Sequence, residues 1–220
     1  MSSNPIAERR RKDFLDKEYI TTRFYARGII SVPFTFKHKA IDGVLIYESF
    51  ITVNNEYGEY AVRVMANEEQ VGDLKVGDRI KISGTFRSMN TIDEEGATTH
   101  LKIYLYAMNI EKTDYRFEDY TEIYIRGNVC QIDKIRPMKY MEEWEFDYEE
   151  RLDFKIKGKN GARTFIAPCR AFDDLAKQIE GMELGTKICI KGEWCCRRYL
   201  AADGTMQTTN EIIVKELLDY

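Results

Sequence analysis

A two-fold internal repeat runs through the sequence and limits the folds open to it. Tyr25-Ala26-Arg27-Gly28 recurs as Tyr124-Ile125-Arg126-Gly127, and residues 74–86 recur as residues 182–194. In the longer match, an apolar residue and a glycine precede alternating apolar positions, and a second glycine stands two positions before an aromatic residue. Self-similarity at a spacing of about 100 residues predicts two copies of one folding unit.

Both copies show the alternation of apolar and polar residues that is typical of half-buried strands. Strands are predicted at 22–32, 44–53, 59–66, 78–88 and 100–111 in the first copy, and at 121–132, 150–157, 162–168, 186–197 and 209–218 in the second. A helical pattern follows the third strand at 172–179, with a weaker counterpart at 67–74. Five strands with a helix after the third is the order of an OB-fold. The predicted fold class is therefore all-β with short helices, as two OB-fold five-stranded barrels in tandem.

The repeat predicts a leader at 1–20, a first barrel at 21–113, a linker at 114–120 and a second barrel at 121–220. The linker contains no glycine, which predicts barrels that lie close together. Arg9-Arg10-Arg11-Lys12 in the leader could form a basic arm for phosphate. Acidic residues interleave with this run, and they favour a solvated helix or a frayed terminus.

The net charge argues against non-specific binding of nucleic acid through the electrostatic field of the whole protein. With 33 basic and 37 acidic residues the net charge is −4, so any contact with nucleic acid must use a local patch. We find no Gly-rich phosphate loop, nucleophile with its base, or metal motif in the sequence. The sequence therefore predicts a protein that is not an enzyme and needs no cofactor.

The cysteine usage argues against a metal or redox site. Five cysteines are an odd number, they include no C-x-x-C pair, and only two histidines accompany them. This argues against a disulfide framework and a zinc site and predicts free structural thiols. Because the sequence has no signal peptide and no run of about 20 apolar residues, we expect a soluble cytoplasmic protein without membrane contact.

The end of the second copy carries short motifs in a fixed order. Gly192-Glu193-Trp194-Cys195-Cys196-Arg197-Arg198-Tyr199 is followed by Asp203-Gly204 and then by Thr208-Thr209-Asn210-Glu211-Ile212-Ile213-Val214. With Phe172 and residues 123–129, this arrangement resembles the bacterial single-stranded DNA-binding proteins over most of residues 121–220. The whole chain looks like the tandem-OB bacterial and phage members of that superfamily, which also includes primosomal replication protein N.

The resemblance implies nucleic-acid-binding residues in the second copy. Tyr199 falls at a base-stacking position on the hairpin between strands four and five, and Phe172 falls at a second stacking position. Arg197 and Arg198 would follow the phosphates beside Tyr199. In the first copy this hairpin carries Met89-Asn90 and Thr91 instead, so the two barrels are expected to bind unequally.

Aromatic rings with basic side chains between them suit unpaired bases on a charged backbone. The outward positions of the second copy add Lys155, Lys157 and Arg163, although ordinary solvation of a strand explains the two lysines equally well. The candidates of the first copy are Phe50, Tyr60, Arg63 and Arg87, with Tyr60 at a stacking position on strand three where the second copy has Phe165 or Ile166.

Other aromatic residues are assigned to packing or assembly. Trp194 lies on the same side of the predicted strand as Ile188 and Ile190, because an even number of positions separates them. A core position is therefore predicted. The outward face of strand one is commonly a subunit contact in the family, and it carries Tyr25, Arg27, Tyr124 and Arg126 here.

An acidic stretch at 142–150 lies in the connection between strands one and two of the second copy. No histidine or second acidic motif with ligand spacing accompanies it, which argues against a metal-dependent nuclease. Three hypotheses stay open for this stretch: it covers the nucleic-acid-binding groove of the barrel, imitates the charge of nucleic acid, or docks a basic partner.

These inferences predict a non-catalytic single-stranded DNA-binding protein that coats and protects the strand in replication, recombination or repair. The resemblance implies a homodimer with four OB folds, and replication or recombination proteins as partners. One alternative is a protein-interaction or primosome-type scaffold with weak nucleic-acid binding, which the net charge and the depleted first hairpin favour. An RNA-binding protein is a third reading.

Overall fold

The computed structural model describes residues 5–56, 58–92, 99–138, 149–200 and 206–219, excepting the side chains at 92, 99, 197–200, 206 and 207. The helices are α1 Pro5–Leu15, α2 Glu68–Val71 and α3 Asp173–Glu180. The strands are β1 Thr22–Ile30, β2 Thr35–Lys39, β3 Leu45–Asn55, β4 Gly58–Asn67, β5 Arg79–Ile92, β6 Thr99–Lys112, β7 Tyr120–Ile132, β8 Arg136–Pro137, β9 Glu150–Asn160, β10 Arg163–Phe172, β11 Lys187–Leu200 and β12 Met206–Leu217.

Contacts divide the chain into two compact units. We call residues 23–123 with 194–210 the first unit, and residues 1–22, 124–193 and 211–220 the second unit. The leader thus belongs with the second copy of the repeat, and the outer part of the β11–β12 hairpin belongs with the first unit. The domain boundaries drawn from the repeat, with a leader at 1–20, barrels at 21–113 and 121–220 and a linker at 114–120, stay a prediction.

The first unit contains a closed five-stranded barrel. Its strands follow the order β1-β5-β6-β4-β3, and β3 closes the barrel by pairing with β1 at Ile29 and Ile30. All these pairs are antiparallel except β4 with β6, which is parallel. The short strand β2 adds to the outer edge of β3.

The second barrel repeats this topology strand for strand. The order is β7-β11-β12-β10-β9, β9 closes the barrel onto β7, and β10 runs parallel to β12. Here β8 adds to β9 as β2 adds to β3. The predicted fold class, two OB-fold five-stranded barrels in tandem with short helices, is confirmed, and each of the ten predicted strands corresponds to an observed strand.

Equivalent glycines in the two copies make the same turn. Gly77 and Gly185 both have φ +91, in the left-handed region that favours glycine. The Gly77 N–H donates to the Ile30 carbonyl at 2.9 Å, and the Gly185 N–H donates to the Val129 carbonyl at 2.8 Å. The turn thereby fastens the start of the fourth strand to the first strand, which explains why this part of the repeat is so similar.

The leader helix α1 packs on the second unit through Phe14. This ring is 1% exposed, and its centroid lies 5.3 Å from that of Tyr124. The Arg126 guanidinium carbon lies 4.7 Å from the Phe14 centroid, and its nitrogens donate to the carbonyls of Phe14, Leu15, Lys17 and Ile20. These carbonyls include orphan acceptors at the end of a helix. Tyr124 and Arg126 are therefore buried inside the chain, in place of the exposed subunit contact that the resemblance implied.

We expect Phe14→Ala to release α1 without unfolding the barrels, because the lost ring is the buried anchor of the helix. Truncating a buried Phe costs about 3–5 kcal/mol, which exceeds what the exposed face of a short helix can offset. Trypsin should then cleave faster at the basic run 9–12, as peptide mapping would measure. Ile6→Ala is the control, since Ile6 is 61% exposed. Equal cleavage of both variants would contradict the anchoring role.

Candidate nucleic-acid interface

Three lysines project from the outer face of β9, and we call them the lysine face. Residues 152, 154 and 156 are buried, whereas Lys155, Lys157 and Lys159 alternate with them and reach solvent. The three lysines lie opposite Pro168, Ile166 and Thr164 of the neighbouring strand β10. No described carboxylate forms an ion pair with any of the three lysines. Within the described residues, the exposed side of β9 therefore carries three cations in a row.

Phe172 lies on the same outer face as the lysines, opposite Arg151 at the far end of β10. Four positions of β9 separate Arg151 from Lys155, about 13 Å at the rise of an extended strand. Between them Arg170 lies only 5% exposed. Its guanidinium pairs with Asp153 and with Glu211, each at 2.7 Å. The structure therefore brings Phe172 onto the face but not into contact with the lysines.

Arg163 does not join the lysine face. It pairs with Asn160 at the start of β10. Its side chain points to the same side of the strand as Phe165, which is 3% exposed and belongs to the core. Arg163 is exposed only because it stands at the open end of the strand. Of the two residues considered for the stacking position, Ile166 faces outward beside Lys157 and Phe165 faces inward.

The hairpin residues that the resemblance favours most lie at the end of β11. The backbone of Arg197, Arg198 and Tyr199 continues this strand, but their side chains lie outside the described residues. The acidic stretch at 142–150 likewise lies outside the described residues except for its last two positions. The N–H groups of Glu149 and Glu150 donate to Oδ1 of Asp173 at 3.0 and 2.9 Å.

In the first unit, Phe50 and Arg63 lie opposite each other on the outer face of β3 and β4. Glu48 neutralises this site: it contacts Arg63 Nε, and its other oxygen lies 3.1 Å from Lys37 Nζ. Burial raises the pKa of Glu48, but the hydrogen bonds from Arg63 and Lys37 outweigh burial and hold the pKa below its ordinary value. Arg63 is consequently committed to a carboxylate of its own chain.

The assignment of Tyr60 to a stacking surface needs correction. Its side chain is 6% exposed and shares the inward parity of Val62 and Val64. The hydroxyl accepts a hydrogen bond from Asn55 Nδ2 at 3.0 Å and lies 3.3 Å from Thr121 Oγ1. A ring in this position cannot reach a base.

Arg87 is also engaged within the first unit. Its guanidinium carbon lies 3.5 Å from the centroid of the Tyr106 ring, which borders a cluster of Ile46, Met65 and Tyr104. A cation on an aromatic face is a favourable contact that a phosphate would have to compete with. Together with the Arg63 pair, this makes the first unit a poorer anion site than the lysine face.

Glu48→Gln should show how the paired site responds to pH. Because the folded pKa of Glu48 is lowered from 4.5, the ionised form stabilises the fold above that pH, and this contribution is lost as pH falls through the lower folded value. Urea unfolding across an acid series should therefore give a stability difference between wild type and Glu48→Gln that shrinks below pH 4.5. A difference that stays constant with pH would exclude this pairing as its source.

Strand β2 is a basic and aromatic ribbon that sequence reasoning missed. All five of its residues are exposed, and Phe36, 58% exposed, touches Tyr47 edge-on with centroids 6.1 Å apart. Lys37, His38 and Lys39 follow in the sequence. Phe36, His38 and Lys39 place two rings and a cation on one exposed strand, an arrangement that suits a single strand, whereas Lys37 is already paired with Glu48. It lay in a segment read only as a connection, since an edge strand exposed on both faces shows no alternation of burial.

The described residues show no feature of a metal centre. All five cysteines are free, with Cys169, Cys189 and Cys195 buried, and no group of three potential ligands occurs in the described part of the chain. Burial raises the pKa of the Cys169 and Cys189 thiols, as expected for structural cysteines. No helix within the described ranges is long and apolar enough to cross a membrane.

No protein-family model matches the sequence, and no curated protein matches it. Among solved structures, a deletion mutant of the single-stranded DNA-binding protein from Thermus aquaticus is similar, with a TM-score of 0.68, 14% identity, and 90% of this chain and 93% of that chain covered. The wild-type protein of that species gives a TM-score of 0.66 at 13% identity, with coverage of 90% and 91%. At these identities the likeness shows the fold, which is the two-barrel OB architecture.

Proposed function

We propose that this protein binds single-stranded DNA without catalysing a reaction. The observation that carries the proposal is the lysine face, because Lys155, Lys157 and Lys159 have no described acidic partner in a chain of net charge −4. The outer face of strands two and three of an OB barrel is a surface that oligonucleotides use. The solved structures of similar fold are named as single-stranded DNA-binding proteins, which supports the proposal.

Titration with labelled oligo-dT and with an RNA of equal length, each at two salt concentrations, tests this function. The protein should bind oligo-dT, and the affinity should fall steeply with salt because the strand releases counterions from phosphates that lysines neutralise. Tighter binding of the RNA than of oligo-dT would mean that RNA is the preferred ligand. Salt-independent or absent binding of both strands would refute it.

The hairpin of β11 and β12 supplies the stacking contribution in this proposal. Arg198→Ala with Tyr199→Ala should weaken oligo-dT binding about 10- to 100-fold, since a stacked base contributes about 1–3 kcal/mol. Circular dichroism would check that the double variant keeps its fold. Unchanged affinity would remove the hairpin from the interface and leave the lysine face.

The second candidate function is a protein-interaction scaffold with weak nucleic-acid binding. The side-chain contacts within the first unit favour this function. Arg63 is paired with Glu48, Arg87 covers Tyr106 and Tyr60 is buried, so three of the four predicted binding residues are engaged elsewhere. We infer a division of work in which the lysine face and the β11–β12 hairpin bind the strand, while strands β1 to β6 contribute assembly or partner contacts. Homodimerisation, cytoplasmic location, and roles in replication, recombination or repair belong to the same proposal, and mass measurement in solution tests the dimer.

A further inference from the structure

The second unit contains an open groove of about 680 Å³ beside the lysine face. The residues that decide its chemistry are Asn128, Cys130, Lys157, Lys159 and Thr164, which come from β7, β9 and β10. Lys157 belongs both to the groove and to the outer face of β9, so the two surfaces are continuous. Lys159 and Thr164 lie opposite each other across β9 and β10.

The groove is positive in a protein that is negative as a whole. Arg126, Lys157 and Lys159 line it, and none of the described lining residues carries a carboxylate. Arg126 donates to main-chain carbonyls around α1, so these contacts hold its guanidinium in place without adding a negative charge. An anion in the groove would meet the ammonium groups of Lys157 and Lys159, with no opposing acid among the described lining residues.

The lining favours a sugar–phosphate backbone over bases. No aromatic side chain is among the described lining residues, so bases have no ring to stack on. The side chains instead offer ammonium groups from two lysines and a hydroxyl from Thr164, which donate to phosphate oxygens. The Asn128 amide donates to the Gly185 carbonyl at 3.0 Å, which fixes the turn that forms one side of the groove.

We propose that this groove holds the phosphates of a single strand as it leaves the lysine face. The inference rests on the proposed function, and it extends the lysine face by a backbone-binding segment to which Lys159 of that face and Thr164 contribute. The groove supplies affinity through charge, while base contacts are made elsewhere. Its contribution should therefore depend on salt and not on base identity.

Lys159→Gln tests the charge of the groove, because Lys159 is one of the two exposed lysines in its lining. The slope of log K against log salt for oligo-dT should become shallower by about 0.7, the value for one phosphate contact on a single strand. Lys75→Gln, an exposed lysine of the first unit, is the matched control and should leave the slope unchanged. An unchanged slope in Lys159→Gln would overturn the inference.

Cys130 reports occupancy of the groove directly. It is the exposed cysteine in the described structure and lies in the lining, and burial of its sulfur raises its pKa, so alkylation in mildly alkaline buffer should be slow enough to follow. Saturating oligo-dT should slow alkylation of Cys130 at least several-fold, as measured by peptide mass spectrometry, and Lys159→Gln should reduce that protection.

The two proposals fail separately in this design. If fluorescence anisotropy shows oligo-dT bound while Cys130 alkylates at the free rate, the groove is empty and the inference is wrong. If anisotropy shows no binding by the wild type, the proposed function itself fails. Protection of Cys130 that disappears in Lys159→Gln, with binding retained, supports both.

Discussion

Reversing two charges of the lysine face, Lys155→Glu with Lys157→Glu, should weaken oligo-dT binding on the order of 100-fold at low salt. Both side chains lie on the outer face of β9, and no described carboxylate competes for them. The change removes attraction and places two carboxylates where phosphates would lie. The salt slope should also become shallower by about 1.4, since each lost phosphate contact contributes about 0.7 on a single strand.

Lys12→Glu with Lys75→Glu is the matched control for this variant. Both lysines are exposed, one on α1 and one in the first unit, and the double reversal changes the net charge by the same amount. Fluorescence anisotropy with a labelled oligo-dT measures all three proteins. Equal losses in the two variants would mean that overall charge governs binding. A loss confined to Lys155 and Lys157 locates the interface on β9.

The strand pattern was predictable because burial in a barrel follows the alternation of the strand itself. Ile80 and Ile82 point inward, while Lys81 between them is half-buried. In the second copy, Leu152, Phe154 and Ile156 likewise point inward. This period depends on neighbours in the sequence, so it can be read without knowing the fold. The same rule would have placed Tyr60 correctly, since it has the parity of Val62 and Val64. The family resemblance assigned it outward against its own pattern.

Contacts between distant residues could not be predicted in the same way. Phe14 lies in a helix dominated by charge, and its partners Tyr124 and Arg126 stand more than a hundred positions later. The neutralisation of Arg63 by Glu48 depends on the register of β3 and β4, which the sequence does not state. Alternation identifies the outward face of a strand, but it does not tell which outward cations already have a partner.

Trp194→Ala should destabilise the protein by about 3–5 kcal/mol, the usual cost of truncating a large aromatic in a core. Trp194 is 0% exposed, as its parity with Ile188 and Ile190 predicted. Its indole N–H donates to Asn210 Oδ1 at 3.2 Å, and its backbone N–H donates to Thr121 Oγ1 at 2.9 Å. Removing the ring leaves a cavity and takes the donor away from Asn210. The melting temperature should fall on the order of 10 °C.

Trp194→Phe separates packing from recognition. It keeps most of the buried ring and loses the indole donor, so a smaller destabilisation of about 1–2 kcal/mol is expected. Oligo-dT affinity of this variant, measured where it is fully folded, should equal that of the wild type, because a buried ring has no face to offer a base. A Trp194→Phe protein that is fully folded under the assay conditions and still binds oligo-dT more weakly would place the tryptophan in the interface. Since the second tryptophan, Trp144, lies in the acidic stretch, the Trp144→Phe background isolates the emission of Trp194. That emission should not be quenched when oligo-dT binds.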